Sequence, residues 1–233
     1  MGTALDTLRW LADGERWSGR FGIPNRVLEH VEISAVAVLL ALALALPLGI
    51  LLGHLRRGGL VAVNLSNVAR AVPSFALLVI ALQIWGFGST PTYVALVALA
   101  APPILTNAYV AVSEVDADLL DAARGMGMSG PAVLWRVELP LAVPLMMAGI
   151  RTASVQVVAT ATLAAFIGEG GLGRYIVDGR AARDIPQLVG GAVLVALLSV
   201  VTELGLGVVQ RVLTPRGLAA RPDETFAEAV AAR

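Results

Sequence analysis

Ser113–Pro140 reads SEVDADLLDAARGMGMSGPAVLWRVELP. It lies between two long apolar runs, yet it is too polar for hydrocarbon and too patterned for a slack linker. Val115, Leu119, Ala122, Ala123 and Met126 recur at three- and four-residue spacing and predict a short helix with one apolar face. Glu114, Asp116, Asp118 and Asp121 load its first turns with negative charge, and Arg124 sits near its end, the polarity that a helix dipole favours. Gly125 and Gly127 tolerate the left-handed backbone that ends a helix, Ser129 can cap a second one, and Pro131 suits that helix's first turn. The second helix is expected over Ala132–Leu139, running into Pro140.

The rest of the chain is made for lipid. Hydrophobic residues are 57% of the 233 and charged residues 15%, with a mean hydropathy of +0.79; a soluble domain carries about 25% charged residues. The formal net charge is zero and all 17 basic residues are Arg, so nothing points to a nucleic-acid partner. There is no cysteine, which excludes disulfides and thiolate metal sites. Residues 1–29 hold no apolar run of signal-peptide length; Trp10 and Trp17, interleaved with Asp6, Arg9, Asp13, Glu15, Arg16 and Arg20, read instead as an interfacial amphipathic segment.

Five spans are expected. The first, about His30–Leu55, is uncharged for longer than the roughly 20 residues a bilayer needs, with Pro47 and Gly49 as candidate kinks and His54, Arg56 and Arg57 directly after it. The second, about Leu60–Trp85, carries Asn64, Ser66, Asn67 and Arg70 and is interrupted at Pro73-Ser74-Phe75. An arginine at bilayer depth costs on the order of 3 kcal/mol, so Arg70 reads either as facing protein or water on a broken, pathway-lining helix, or as snorkelling from a kinked packing helix. The third, about Thr92–Val112, contains Pro102-Pro103 and then Asn107, which can bond across helices or line a polar path. The fourth, about Leu141–Ile167, is the most polar, with Arg151, Thr152, Ser154, Gln156, Thr160 and Thr162; Gln156 and Thr160, four apart, are candidate pathway liners. The fifth, about Leu188–Val212, holds Glu203, for which Arg151 is a possible partner.

Between the last two spans, Gly168-Glu169-Gly170-Gly171-Leu172-Gly173-Arg174 packs four glycines into six residues. No strand precedes it and no Lys-Ser or Lys-Thr follows, so it is not a phosphate loop. Glu169 can meet a cationic solute or pair with Arg174, and pairing is the expectation. Counting arginines puts the linker after span one, the polar stretch and the tail (with Arg211, Arg216 and Arg221) on the cytoplasmic side, the N-terminus outside and the C-terminus inside a plasma membrane. No catalytic triad, metal-ligand cluster or phosphate loop is present in the sequence, which leaves catalytic and metal sites unassigned.

Asp121-Ala122-Ala123, three residues, Gly127, nine residues, Val137, one residue and Leu139-Pro140 resembles the EAA loop of the membrane subunits of bacterial ABC importers, with Asp for the usual Glu and Val for the usual Ile. The Pro-Ser segment and Gly170-Gly171-Leu172-Gly173 are similar to segments of the osmoprotectant branch, where a broken helix lines the pathway and the glycine loop re-enters toward the gate. The resemblance covers about Leu28–Leu213. It implies an all-α polytopic bundle of the MetI-like permease type, with a permease domain over 30–213 and a cytoplasmic tail over 214–233. It further implies that Asp121, Ala122, Ala123, Arg124, Gly125, Gly127, Val137, Leu139 and Pro140 form a loop that docks on a separate ATPase subunit. Arg70, Pro73, Ser74, Phe75, Asn107, Gln156, Thr160 and Gly168-Glu169-Gly170-Gly171 are candidates for the path or gate. The implied partners are the ATPase, which alone binds ATP, a second or sister permease, and an extracytoplasmic substrate-binding protein. The implied cargo is glycine betaine, choline, carnitine or a similar solute. An importer of methionine or another amino acid, a stand-alone secondary transporter and a membrane-embedded enzyme are the alternatives; the last finds only His30 and His54, at opposite ends of one helix.

Overall fold

A chain in hydrocarbon has to satisfy its backbone from within, and the apolar runs accordingly coil into helices. The computed structural model describes residues 2–59, 64, 68 and 71–215, and no strand occurs among them. In chain order the helices are α1 Gly2–Ala12, α2 Ile23–His54, α3 Ser74–Trp85, α4 Ser89–Ser113, α5 Ala117–Gly125, α6 Gly130–Ile167, α7 Gly173–Ala182 and α8 Ile185–Leu213. Four of them, α2, α4, α6 and α8, are long and apolar enough to cross a membrane. Helix α3 is the described part of the span expected over Leu60–Trp85; Arg70 lies outside the described residues, as do the tail residues 216–233.

The core is built on close approach. Ile33, Ala37, Ala41, Ala45, Gly49 and Gly53 recur every fourth residue on α2 and are all buried, giving a nearly flat stripe against α4. At Gly49 a β-carbon would stand 2.7 Å from the Leu105 carbonyl, so only glycine fits there, and Gly49 acts as a contact point rather than a kink. Gly149 does the same for α6 on α4: its β-carbon would meet that of Asn107 at 2.5 Å. In lipid, where apolar burial supplies little drive, such packing is what holds helices together.

Helix α6 differs from the expectation of a short helix ending at Pro140 followed by a separate span. It is continuous over 38 residues, α-helical as far as Thr160 apart from one wider turn, and tightens into a 3-10 helix over Ala161–Ile167. Proline has no N–H to give to a carbonyl four residues back, and here the helix widens into a π turn over Leu134–Glu138, with the Leu139 N–H bonding to the Leu134 carbonyl, so that Pro140 enters the next segment in its first turn. Helix α4 likewise continues through Pro102 and Pro103, and the Asn107 side chain donates to the Pro103 carbonyl at 2.8 Å. Asn107 therefore serves its own helix, not the cross-helix bond expected of it.

Three further expectations are corrected. The two tryptophans of the N-terminal segment are not alike, and Trp10 packs into protein: it is buried against the edge of Tyr175, 5.2 Å between ring centroids, over Gly190, where a β-carbon would lie 2.5 Å from the indole. Trp17 stays half exposed, its indole N–H donating to the Leu11 carbonyl. Helix α2 begins at Ile23, not near His30, because Gly22 caps it in extended backbone and Pro24 lies in its first turn. Arg174 is also not paired with Glu169; it binds Asp178 at 2.7 Å, one turn on in α7, and the Ala165 carbonyl.

The expected partnership of Arg151 and Glu203 is present between α6 and α8. Gln210 completes it, its amide oxygen accepting from Arg151 at 2.6 Å and its amide nitrogen donating to the Pro144 carbonyl at 2.9 Å.

Gly149→Leu is expected to cost about 1–3 kcal/mol by overpacking, seen as a lower melting temperature in detergent, whereas Gly205→Leu, where a β-carbon meets nothing within 4 Å, leaves melting unchanged. Arg151→Glu and Glu203→Arg are each expected to destabilise the bundle and the double variant to recover part of the loss; equal damage in all three would remove the pairing from the account.

Candidate functional site

At one end of the bundle, helix α5 and the start of α6 form a hairpin. Asp116 caps α5 by accepting from the Asp118 N–H at 2.8 Å, and Asp121 pairs with Arg124 at 3.4 Å along the exposed side. The helix closes in a Schellman motif: the Gly127 N–H bonds to the Arg124 carbonyl and the Met128 N–H to the Ala123 carbonyl, with Gly127 at φ +85°. Gly125, by contrast, belongs to the helix proper. Val115, Leu120, Ala123 and Val133 are buried together, with Met128, Val137 and Leu141 against them. The face read from the sequence divides: Ala123 and Val115 point inward with Leu120, while Leu119, Ala122 and Met126 are exposed, as is Trp135 in the π turn. An apolar, solvent-facing edge thus stands on a hairpin that a glycine closure keeps in one shape.

Two long-range contacts seat that hairpin on the end of α2, and the sequence reading missed Glu138 in the first of them. Glu138, in the π turn, is 1% exposed, and its carboxylate lies 2.5 Å from His54 Nδ1 at the end of α2. Arg56 donates to the Val115 carbonyl at 2.8 Å. A buried carboxylate needs a partner; an acid between Val137 and Leu139 was the available signal.

At the opposite end, α2 holds the glycine loop. His30 is fully buried; its Nδ1 accepts from the Leu172 N–H at 3.3 Å, which requires the proton on Nε2, from where it is donated to the Val158 carbonyl at 2.8 Å. Glu29 accepts from the Gly171 N–H at 2.8 Å and from Arg26 at 2.7 Å. Gly171 sits at φ +84°, with His30 so near that a β-carbon would be 3.0 Å from Nδ1. Tyr175 donates to the Phe21 carbonyl at 2.7 Å; burial pushes its hydroxyl above the ordinary phenol range, with Arg26 and Arg16 pulling the other way. Gly168, Gly170 and Gly171 are thus a clamped turn, while Glu169 between them has no ion-pair partner among the described residues.

A third region gathers some of the expected path residues. Ser74 and Thr160 line one small cavity of about 10 Å³ with Thr92, whose buried hydroxyl has no partner. Pro73 ends the break ahead of α3, and the next residue but one, Phe75, meets Phe166 edge to face, 5.7 Å between centroids. Thr152, Gln156 and Thr160 fall every fourth residue on α6, with Gln156 exposed. Asn107 and the Gly168–Gly171 turn lie apart from this cluster, engaged as described above.

Residues 45–217 match the family described as binding-protein-dependent transport system inner membrane component. The glycine betaine/carnitine/choline transport system permease protein OpuCB of Bacillus subtilis is 40% identical over 190 residues, 82% of this chain and 88% of that one. The choline transport system permease protein OpuBB of the same organism is 39% identical over 193 residues, 83% and 89% of the two chains. The osmoprotectant import permease protein OsmW of Salmonella typhimurium is 31% identical over 219 residues, 92% and 100%. In fold, the chain superposes on one from the MetNI methionine ABC transporter, in inward-facing conformation, with a TM-score of 0.70 at 23% identity, covering 81% of this chain and 94% of that one. Matched over most of its length in sequence, the protein belongs to the family of binding-protein-dependent transport system inner-membrane components.

Proposed function

We propose that this chain is the permease subunit of an ATP-driven importer for quaternary ammonium osmolytes such as choline, glycine betaine or carnitine. The observation that carries the coupling part of this reading is the hairpin: a clamped knob with Leu119, Met126 and Trp135 exposed at its edge. A separate ATPase docks there, and its movement is delivered to the bundle. Arg56, Arg57, Arg124, Arg136 and Arg211 lie directly beside the spans at the hairpin end, which supports reading it as the cytoplasmic one. The glycine loop and the N-terminus then face outward, toward a binding protein that delivers the solute.

The solute class rests on similarity to permeases whose names specify choline, carnitine and glycine betaine, at 38–40% identity for the first three. The likeness to the methionine transporter, at 23% identity, speaks for the fold alone. Thr152, Gln156, Thr160, Ser74 and Thr92 supply a neutral polar lining, suited to a solute that must bind briefly and leave. A second permease, identical or a sister, faces this one across the path. ATP is bound and hydrolysed by the partner subunit.

Because the chain has no cysteine, single cysteines report topology directly. Ser89→Cys is expected to react with a membrane-impermeant maleimide in intact cells and Ser129→Cys only after permeabilisation; the reverse pattern would put the hairpin outside. Met126→Asp with Leu119→Asp is expected to leave the protein in the membrane but to abolish copurification of the ATPase and reduce choline uptake at least tenfold. Undiminished copurification would refute docking at this edge.

A further inference from the structure

The hairpin is continuous in chain with α4 and α6, and the end of α2 grips it from outside. His54, the last residue of α2, is wedged against the start of α6: its Nδ1 lies 2.5 Å from the Glu138 carboxylate, and its Nε2 would stand 3.9 Å from a β-carbon on Gly130. Two residues on, Arg56, with its backbone in the left-handed region at φ +49°, donates to the Val115 carbonyl ahead of α5 at 2.8 Å. The end of α2 is itself held, because Gly53 touches α4 so closely that a β-carbon would be 2.8 Å from the Tyr109 carbonyl and from the Val112 β-carbon. Glu138 closes the π turn Leu134–Glu138, which stands between the hairpin and the span that begins at Leu139. A π turn is one of the few places where a helix bends sharply. A force arriving at the hairpin therefore either bends α6 at that turn or passes into the span, depending on what holds the turn from the side. Leu134 and Val137 pack on apolar neighbours, a contact that can slide, and Trp135 and Arg136 are exposed. Glu138, 1% exposed, makes the directional contact to another span. Packing alone does not account for a carboxylate there, since apolar side chains of similar volume are often as stable as a buried ion pair.

We infer that His54 and Glu138 are positioning residues for transport: they brace the π turn against α2, so that movement of the ATPase at the hairpin reaches the bundle and is not taken up by bending of α6. This rests on the proposed function and adds a named contact to it. Docking and ATP hydrolysis do not require the brace, whereas the amount of solute moved for each ATP does.

The complete transporter, with its ATPase, partner permease and binding protein in proteoliposomes, provides the test, with choline uptake and ATP hydrolysis measured on the same sample. His54→Leu combined with Glu138→Met removes both polar groups and leaves no buried charge unpaired. It is expected to copurify with the ATPase and to lower choline uptake per ATP hydrolysed roughly threefold to tenfold. His54→Asn, whose amide nitrogen takes the place of Nδ1, is expected to keep the wild-type ratio. Because the chain has no cysteine of its own, His54→Cys with Glu138→Cys gives a second measurement. Its ratio is expected to fall likewise, to be restored by a short bifunctional thiosulfonate joining the two sulfurs, and to fall again on reduction. A pair that serves only stability would lower the melting temperature and the yield of complex without moving the ratio. A wild-type ratio in the apolar double variant, or a linked cysteine pair as poorly coupled as the unlinked one, overturns the brace; should the apolar variant not assemble, the linker decides. If the wild-type complex holds no ATPase, or takes up choline without ATP, the proposed function fails first.

Discussion

Hydrocarbon offers no hydrogen-bond partner, and this fold is organised by how its exceptions to simple helix meet that constraint. Five prolines, Pro47, Pro102, Pro103, Pro140 and Pro144, sit within helices that are nevertheless continuous. Pro140 is accommodated by a π turn, while the Pro103 carbonyl takes a side-chain bond from Asn107 and the Pro144 carbonyl one from Gln210. The buried ionisable groups obey the same rule: Glu138 finds His54, His30 finds the Leu172 N–H and the Val158 carbonyl, and Arg151 finds Glu203 and Gln210. Each of these ionisable groups ties two elements together, so groups that are costly in lipid are also ones that fix the geometry.

Much of this was legible locally. The spans are continuous apolar runs, and the hairpin follows from acids in a first turn, a helix-ending glycine and a proline-started second helix, all within a short stretch. Arg151 and Glu203 were matched because each stood alone in an apolar run and needed the other. Where the reading went astray, a different partner was available. Arg174 took Asp178, one helical turn away on the same face, over Glu169, which lies beyond a glycine turn. Trp10 took a slot between Tyr175 and Gly190, which nothing near Trp10 in sequence announces. The apolar face of α5 was read as one stripe, but a nine-residue helix at a surface buries only Leu120 and Ala123 and leaves Leu119 and Met126 outside.

The residues the sequence did not offer are Glu29 and Glu138, together with the structural use of His30 and His54. All act over long separations, His54 to Glu138 across 84 residues and Glu29 to Gly171 across 142. Periodicity and motif spacing carry no information at that range. The glycine loop was noticed for its glycines, yet what gives it a shape is a glutamate and a histidine on another helix.

The two ends of the bundle are thereby joined by two rods. Helix α2 carries His54 against Glu138 at the hairpin end and Glu29-His30 against the Gly171-Leu172 backbone at the other. Helix α6 runs from the hairpin itself to Ile167, 38 residues that end in a 3-10 helix carrying Phe166. A connection of packed helix and paired polar groups transmits displacement, whereas a glycine or proline hinge would absorb it. The one marked break is placed elsewhere, at Pro73, where α3 begins and Phe75 reaches Phe166. Helix α6 carries Phe166, and Phe75, mounted on a separate short helix after the break, packs against it edge to face.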